Sequence, residues 1–78
     1  MTLKIISTTE ILFEGEVSMV TLPGVKGRFT VLHNHAALVS TLAAGDIVFR
    51  NADGKETAYT VSGGIADVDN NVISVCIY

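Results

Sequence analysis

The spacing of turn signals is the feature that most limits how this chain can fold. Val, Ile and Thr supply 25 of the 78 residues, and Gly, Asn or Asp interrupts them at short intervals. Branched side chains favour a pleated backbone because their first torsion is restricted. The sequence therefore predicts an all-β fold, an antiparallel flattened β-sandwich or barrel of about eight to ten short strands.

Alternating apolar residues and turn residues predict where the strands lie. The expected strands are 3–8, 10–14, 16–22, 28–32, 36–42, 47–50, 56–61, 65–68 and 72–78. The period of 36–42 also suits a short helical turn, and we expect a strand there. Pro23 and Gly24 should stop the third strand and begin a protruding loop over 23–27. Turns at 51–54 and 69–71 predict two hairpins.

The length and the cysteine content predict one small domain over residues 1–78 in a reducing compartment. A chain this short buries somewhat more than about 60% of its unfolded surface, which leaves no room for a second core. Cys76 is the only cysteine, so no internal disulfide can form. No stretch approaches the roughly 20 apolar residues that cross a bilayer, and we expect no direct membrane insertion.

The charge and hydrophobic content indicate a protein partner rather than a nucleic acid. The net charge is −3, and the five basic residues are scattered along the chain. Nucleic-acid binding needs a clustered basic surface, so we expect none. The hydrophobic content of 49% is high for a small domain. Some of these side chains should be covered by another protein.

His33 and His35 raise the alternative of a small metal-binding β protein. In an extended backbone the two imidazoles would share one face, a spacing that zinc sites use. The possible further ligands are Asp46, Asp67, Asp69 and Cys76, but none of them forms a second cluster with ligand spacing. We therefore expect no metal site, and contact or structural roles for both histidines.

The remaining motifs indicate neither an enzyme nor a cofactor-binding protein. The Ser-Gly-Gly at 62–64 lacks the nucleophile elbow and leads into a strand, so it predicts a change of chain direction. The three glutamates at 10, 14 and 16 share one strand face, which is typical of a solvated edge. Lys55 beside Gly54 is the only lysine placed like that of a lipoyl or biotinyl carrier domain, and its flanking residues do not fit either pattern.

The order of several short motifs resembles the N-terminal β domain of the ATP synthase epsilon subunit. They are F-x-G-x-V at 13–17, G-x-x-G at 24–27, His-Ala-small-Leu at 35–38 and S-G-G-hydrophobic at 62–65. The likeness runs from end to end. The chain departs from the family pattern where His33 and Asn34 replace Pro-Gly, where Ala37 replaces a common Pro, and where Arg28 replaces an acidic or small residue.

The resemblance implies a non-catalytic central-stalk component of a rotary ATP synthase, without a cofactor. It would bind the gamma subunit and the c-ring and couple ion-driven rotation to ATP synthesis, as one copy within a hetero-oligomeric complex. Its place would be the cytoplasmic face of the bacterial inner membrane. Longer members carry two C-terminal helices, and we expect either a short member or a piece of a longer chain.

The resemblance also assigns two sets of contact residues. The residues that match the family's c-ring contact loop are Val25, Lys26, Gly27, Arg28 and Phe29. The residues that match positions facing gamma are Ser7, His35, Leu38 and Ser40.

Overall fold

The chain folds into eight strands without a helix, in a computed structural model that describes all residues from 1 to 78. The strands are β1 (Thr2–Ile6), β2 (Ile11–Gly24), β3 (Gly27–Val31), β4 (Leu38–Leu42), β5 (Gly45–Asn51), β6 (Glu56–Val61), β7 (Gly64–Asp69) and β8 (Val72–Ile77). The predicted all-β class and the strand expected within 36–42 are confirmed. No helix capable of crossing a membrane occurs.

The long β2 strand corrects two of the predicted boundaries. The two strands expected at 10–14 and 16–22 are one continuous strand of 14 residues. Its first half pairs with β1 and its second half with β3 and β5, so partners support the backbone along its length. Pro23 does not stop the strand. It contributes its carbonyl, which accepts a hydrogen bond from the Ala43 amide at 2.8 Å.

The strands close into a flattened barrel because β1 has a partner strand at each of its two edges. One partner is β8, which begins the series of paired strands β8-β7-β4-β2, and the other partner is β2, which ends it. On the other side of β2 the sheet continues to β5 and β6, while β3 also pairs with β2.

One pairing differs from the predicted antiparallel arrangement, since β1 and β8 are parallel. They are the first and last strands, so no hairpin forces them to be antiparallel, and the intervening chain supplies the crossover. Both predicted hairpins form, as β5–β6 and β7–β8.

The core consists of apolar side chains from every strand. Phe13 and Phe49 meet there with ring centroids 4.4 Å apart. The buried members are Leu3, Ile5, Val17, Val20, Leu22, Val31, Leu42, Ile47, Phe49, Val61, Ala66, Val68, Ile73 and Val75. No polar or charged residue is buried. Any binding chemistry of this domain therefore lies on its surface.

Candidate functional site

The β2–β3 hairpin ends in a tight turn, here called the hairpin tip (residues 24–29). Gly24 pairs with Gly27, which leaves only Val25 and Lys26 in the turn. A Cβ at Gly24 would lie 2.7 Å from the Gly27 carbonyl oxygen, and Gly27 has a φ of 129°. Glycine is needed at both positions because other residues would clash or be strained. The five-residue loop predicted over 23–27 is thus wrong.

Backbone hydrogen bonds hold the hairpin tip against β4. The Val25 amide donates to the Thr41 carbonyl at 3.0 Å. Between the two elements lies a cleft of about 540 Å³, here called the tip cleft. Its lining residues are Gly24, Val25, Lys26, Gly27, Arg28, Phe29, Val39, Ser40 and Thr41. All five residues predicted to contact a c-ring therefore lie around one cleft.

The two cations of the hairpin tip differ in how they are held. The Arg28 guanidinium donates through Nη1 to the backbone carbonyl of Asp46 at 3.1 Å. Lys26 is exposed at the turn and forms no ion pair. Arg28 is therefore oriented by a neutral acceptor, whereas the Lys26 ammonium stays free in solvent.

Three of the four residues predicted to face gamma lie beside the hairpin tip. His35, Leu38 and Ser40 line a shallow cavity of about 340 Å³ together with Phe29 and Val39. Phe29 and Ser40 also line the tip cleft. The two predicted contact surfaces therefore adjoin each other, a relation that the sequence does not reveal.

Ser7 lies apart from the other three predicted gamma-facing residues. Its hydroxyl accepts a hydrogen bond from the Glu10 amide at 3.2 Å in the turn between β1 and β2. It lines a different cavity of about 250 Å³ with Thr8, Ile65, Cys76, Ile77 and Tyr78. Ser7 thus lies at the margin of an apolar part of the surface.

That apolar surface is a row of outward-facing side chains across five strands, here called the apolar row. The register aligns Ile11, Ile6, Cys76, Ile65 and Thr41 on β2, β1, β8, β7 and β4. Ile11 is 61% exposed and Ile65 48% exposed. Sequence reasoning missed this row. Alternation along a strand shows which residues point outward, but the pairing register decides which of them become neighbours.

His33 and His35 do not have the extended backbone that the metal-binding alternative requires. Asn34 between them has a φ of 63°, and residues 33 and 34 form a turn. The turn is held by Asn71, whose Oδ1 accepts from the Asn34 amide at 2.7 Å. No three His, Cys, Asp or Glu side chains come together in a way that could hold a metal ion.

Comparison with known proteins identifies the family. The family model described as ATP synthase, Delta/Epsilon chain, beta-sandwich domain matches residues 1–77. The chain belongs to this ATP synthase delta/epsilon family. Similar curated proteins are named ATP synthase epsilon chain. The Sulfurovum protein is 45% identical over 69 residues, which cover 88% of this chain and 54% of the relative. The Rickettsia typhi protein is 38% identical over 74 residues, which cover 92% and 67%.

The fold of this delta/epsilon family member also occurs in solved structures of mitochondrial ATP synthases. A chain in the Euglena gracilis OSCP/F1/c-ring structure aligns with a TM-score of 0.89 and 28% identity over 96% of this chain and 48% of that one. A chain from the Tetrahymena thermophila central stalk and c-ring shares the fold alone, with a TM-score of 0.81 and 12% identity over 97% and 61%. The chain spans about half the length of several relatives it matches.

Proposed function

We propose that this chain is a non-catalytic central-stalk component of a rotary ATP synthase, which binds the gamma subunit and the c-ring. In this role it couples ion-driven rotation of the ring to gamma. The observation that carries the proposal is the match of the ATP synthase delta/epsilon family model to residues 1–77, almost the entire chain. The proposal concerns the β domain and its contacts.

Gamma binding is supported by apolar surface that the fold leaves uncovered. The apolar row lies on the outside of the barrel, and Tyr78 beside it is 73% exposed. Ser7 lies at this surface, within the same cavity as Ile65 and Tyr78. Burial of apolar area is the main favourable term in protein association. The proposed gamma interface therefore includes Ser7 and the apolar row, and a second part of it is the cavity beside the hairpin tip that His35, Leu38 and Ser40 line.

Ring binding is supported by the shape of the hairpin tip. The tip is a two-residue turn whose Val25 and Lys26 are exposed, and it is anchored to β4 by backbone hydrogen bonds. A pre-organised hairpin loses little conformational entropy when it binds. Phe29 and Ser40 line both the tip cleft and the adjoining cavity. The proposed contacts with the c-ring and with gamma are therefore next to each other on the same part of the domain.

The proposed location follows from these partners. A subunit that contacts a membrane-embedded ring through a hairpin tip is peripheral to the membrane. For a bacterial protein this is the cytoplasmic face of the inner membrane. The relatives named ATP synthase epsilon chain include bacterial proteins.

Co-purification with the gamma subunit of the same organism tests the proposal. We expect a stable one-to-one complex on size-exclusion chromatography. Amide exchange in the complex should be slowed at Ile65 and Cys76 and unchanged at Thr57 and Ala58 of β6. Failure to bind a well-folded gamma subunit, or protection confined to β6, would contradict the proposal.

A further inference from the structure

The basic side chains of this chain differ in whether they have an acidic partner. Of the five, two form ion pairs with glutamates on the neighbouring strand. The three without an ion pair are Lys26, Arg28 and Lys55. Two of these lie within three residues of each other in the hairpin tip. The protein carries a net charge of −3, so the tip is a local positive region on an acidic molecule.

No acidic residue lines the tip cleft. Its nine lining residues include both Lys26 and Arg28 and no Asp or Glu. Arg28 donates to the Asp46 backbone carbonyl, which orients the guanidinium without removing its charge. The other N–H groups of Arg28 form no hydrogen bond within the chain. A carboxylate is the group that these free donors match, because arginine pairs with it through two parallel hydrogen bonds.

The tip cleft also presents apolar side chains and hydroxyl groups. Val25 and Val39 line it and are 56% and 71% exposed. Ser40 and Thr41 contribute hydroxyls on the β4 side. A free inorganic anion would use only the cations and hydroxyls. A polypeptide segment with both a carboxylate and apolar side chains would use the whole cleft.

We propose that the tip cleft binds a carboxylate-bearing loop of the membrane ring, with Lys26 and Arg28 supplying the opposite charge. This inference rests on the proposed function and adds the chemistry of the ring segment that this chain recognises. Two cations are too few for electrostatic adsorption to an anionic membrane surface, which typically uses clusters of about four to eight. The cleft also continues into the proposed gamma surface through Phe29 and Ser40. A proteinaceous occupant is thus favoured over a lipid headgroup.

The test uses the complex of the complete subunit with gamma and the detergent-solubilised ring of the same organism. Binding to the immobilised ring is measured at low and at high salt for the wild type and for the double variant Lys26→Glu/Arg28→Glu. We expect at least about a tenfold loss of affinity in the double variant, and a loss of the salt dependence. A carboxylate-to-lysine change in the ring loop should restore binding of the double variant.

Lys55→Glu is the control for a charge reversal outside the tip cleft, and it changes the net charge by half as much as the double variant. Lys55 is also an exposed lysine without an ion pair near a hairpin turn, but it lies between β5 and β6 and away from the tip cleft. The Lys55→Glu variant changes the net charge in the same direction as the double variant. Because the change lies outside the tip cleft, ring affinity should stay within about twofold of wild type. Circular dichroism and gamma co-purification should show that the double variant remains folded.

Three results would overturn the inference, and they are distinguishable from one another. If the wild-type complex does not bind the ring, the ring contact of the proposed function fails and the inference fails with it. If the wild type binds and the double variant binds equally well, the inference alone fails. If phosphatidylglycerol vesicles without a ring retain the wild type but not the double variant, the occupant is a lipid headgroup instead.

Discussion

The two outer faces of the barrel consist of strands with similar propensities, yet their side chains have different partners. On the face of β5 and β6, the Thr60 hydroxyl donates to Asp46 at 2.7 Å and Arg50 pairs with Glu56 at 2.8 Å. The face that carries the apolar row has Ile11 and Ile65 in solvent. Cross-strand polar pairs complete the first face within the chain. The second face has such pairs only at its other end, where Lys4 pairs with Glu14 and Thr2 with Glu16, and the apolar row has none.

This comparison shows where the high hydrophobic content is used. The inward-facing apolar side chains of all eight strands pack together in one core. Part of the surplus, Ile11 and Ile65, lies in the apolar row next to Ser7 and Tyr78, and another part, Val25 and Val39, lines the tip cleft. An exposed apolar surface of this kind marks an interaction site, whereas scattered apolar residues do not. Four substitutions test the difference between the two faces.

Gly64→Ala should have the strongest effect on stability, because it disturbs the strand pairing beneath the apolar row. A Cβ at Gly64 would overlap the Cys76 carbonyl oxygen, so β7 and β8 must move apart. We expect the free energy of unfolding to fall by about 3 kcal/mol, the upper part of the usual range for overpacking. Urea unfolding measures it.

Gly15→Ala is the control for this change. A Cβ at Gly15 would meet the Phe13 ring at 3.3 Å, and an aromatic side chain can shift where a backbone cannot. We expect a loss below about 1 kcal/mol. Equal losses in the two variants would show that the close approach of β7 and β8 is unimportant.

The second effect concerns partner binding and compares Ile65→Asp with Ala58→Asp. The two variants are matched in their surroundings. The new carboxylate at 65 lies two residues from Asp67, and the one at 58 lies two residues from Glu56, in each case on the same strand face. Ile65 belongs to the apolar row, and Ala58 lies on the opposite face. We expect Ile65→Asp to weaken gamma binding by about tenfold or more, as interface centres do, and Ala58→Asp to leave it unchanged. Calorimetric titration of each variant with gamma measures the two affinities. Equal affinities for Ile65→Asp and Ala58→Asp would contradict a functional difference between the two faces.

The third effect concerns the contact that joins the turn before β4 to the turn between β7 and β8. The Asn71 side chain donates through Nδ2 to Asn34 Oδ1 at 2.9 Å and accepts from the Asn34 amide. Asn71→Gly keeps a residue that tolerates its φ of 62° but removes both hydrogen bonds. We expect about 1 kcal/mol of destabilisation and faster amide exchange at His35.

Asn70→Gly is the control for the hydrogen bonds of Asn71. Asn70 occupies the same turn with a φ of 52°, and its side chain makes no hydrogen bond. Exchange at His35 should therefore stay as in the wild type. Faster exchange in both variants would assign the effect to the turn rather than to the Asn34–Asn71 pair.

A weak pH dependence of stability is expected at the polar end of the face that carries the apolar row. A hydrogen bond from the Thr2 hydroxyl at 2.9 Å, followed by the hydrogen bond and charge of the N-terminal ammonium, lowers the pKa of Glu16. The carboxylate thus stabilises the fold at pH values above its unfolded pKa of about 4.3. This stabilisation disappears as the pH falls through the lowered folded value.

Glu16→Gln measures this contribution by urea unfolding across pH. The wild type should be slightly more stable near neutral pH, and the two proteins should converge in acid. Glu10→Gln is the control, since the Glu10 carboxylate makes no ion pair or hydrogen bond. A difference between wild type and Glu16→Gln that persists at the lowest pH would contradict an electrostatic origin.

Local sequence signals predict the strands better than they predict how the strands end. The hairpins at 51–54 and 69–71 could be predicted because Asn, Asp and Gly adopt the backbone angles that tight turns need. The end of β2 could not be predicted, since Pro23 and Gly24 usually occur in turns. Pairing with β3 and hydrogen bonding to Ala43 keep them in the strand. Tertiary pairing overrides local propensity here.

Residue types and their order along the chain are enough to establish the all-β class, the single core and the family of this protein. Three features follow from the fold alone: β1 and β8 are parallel, Phe29 and Ser40 line both the tip cleft and the adjoining cavity, and Ile6, Ile65 and Cys76 form one row. These features depend on strand pairing and register. Neighbours across a sheet come from distant parts of the chain, and a shift of one residue would turn every side chain to the other face.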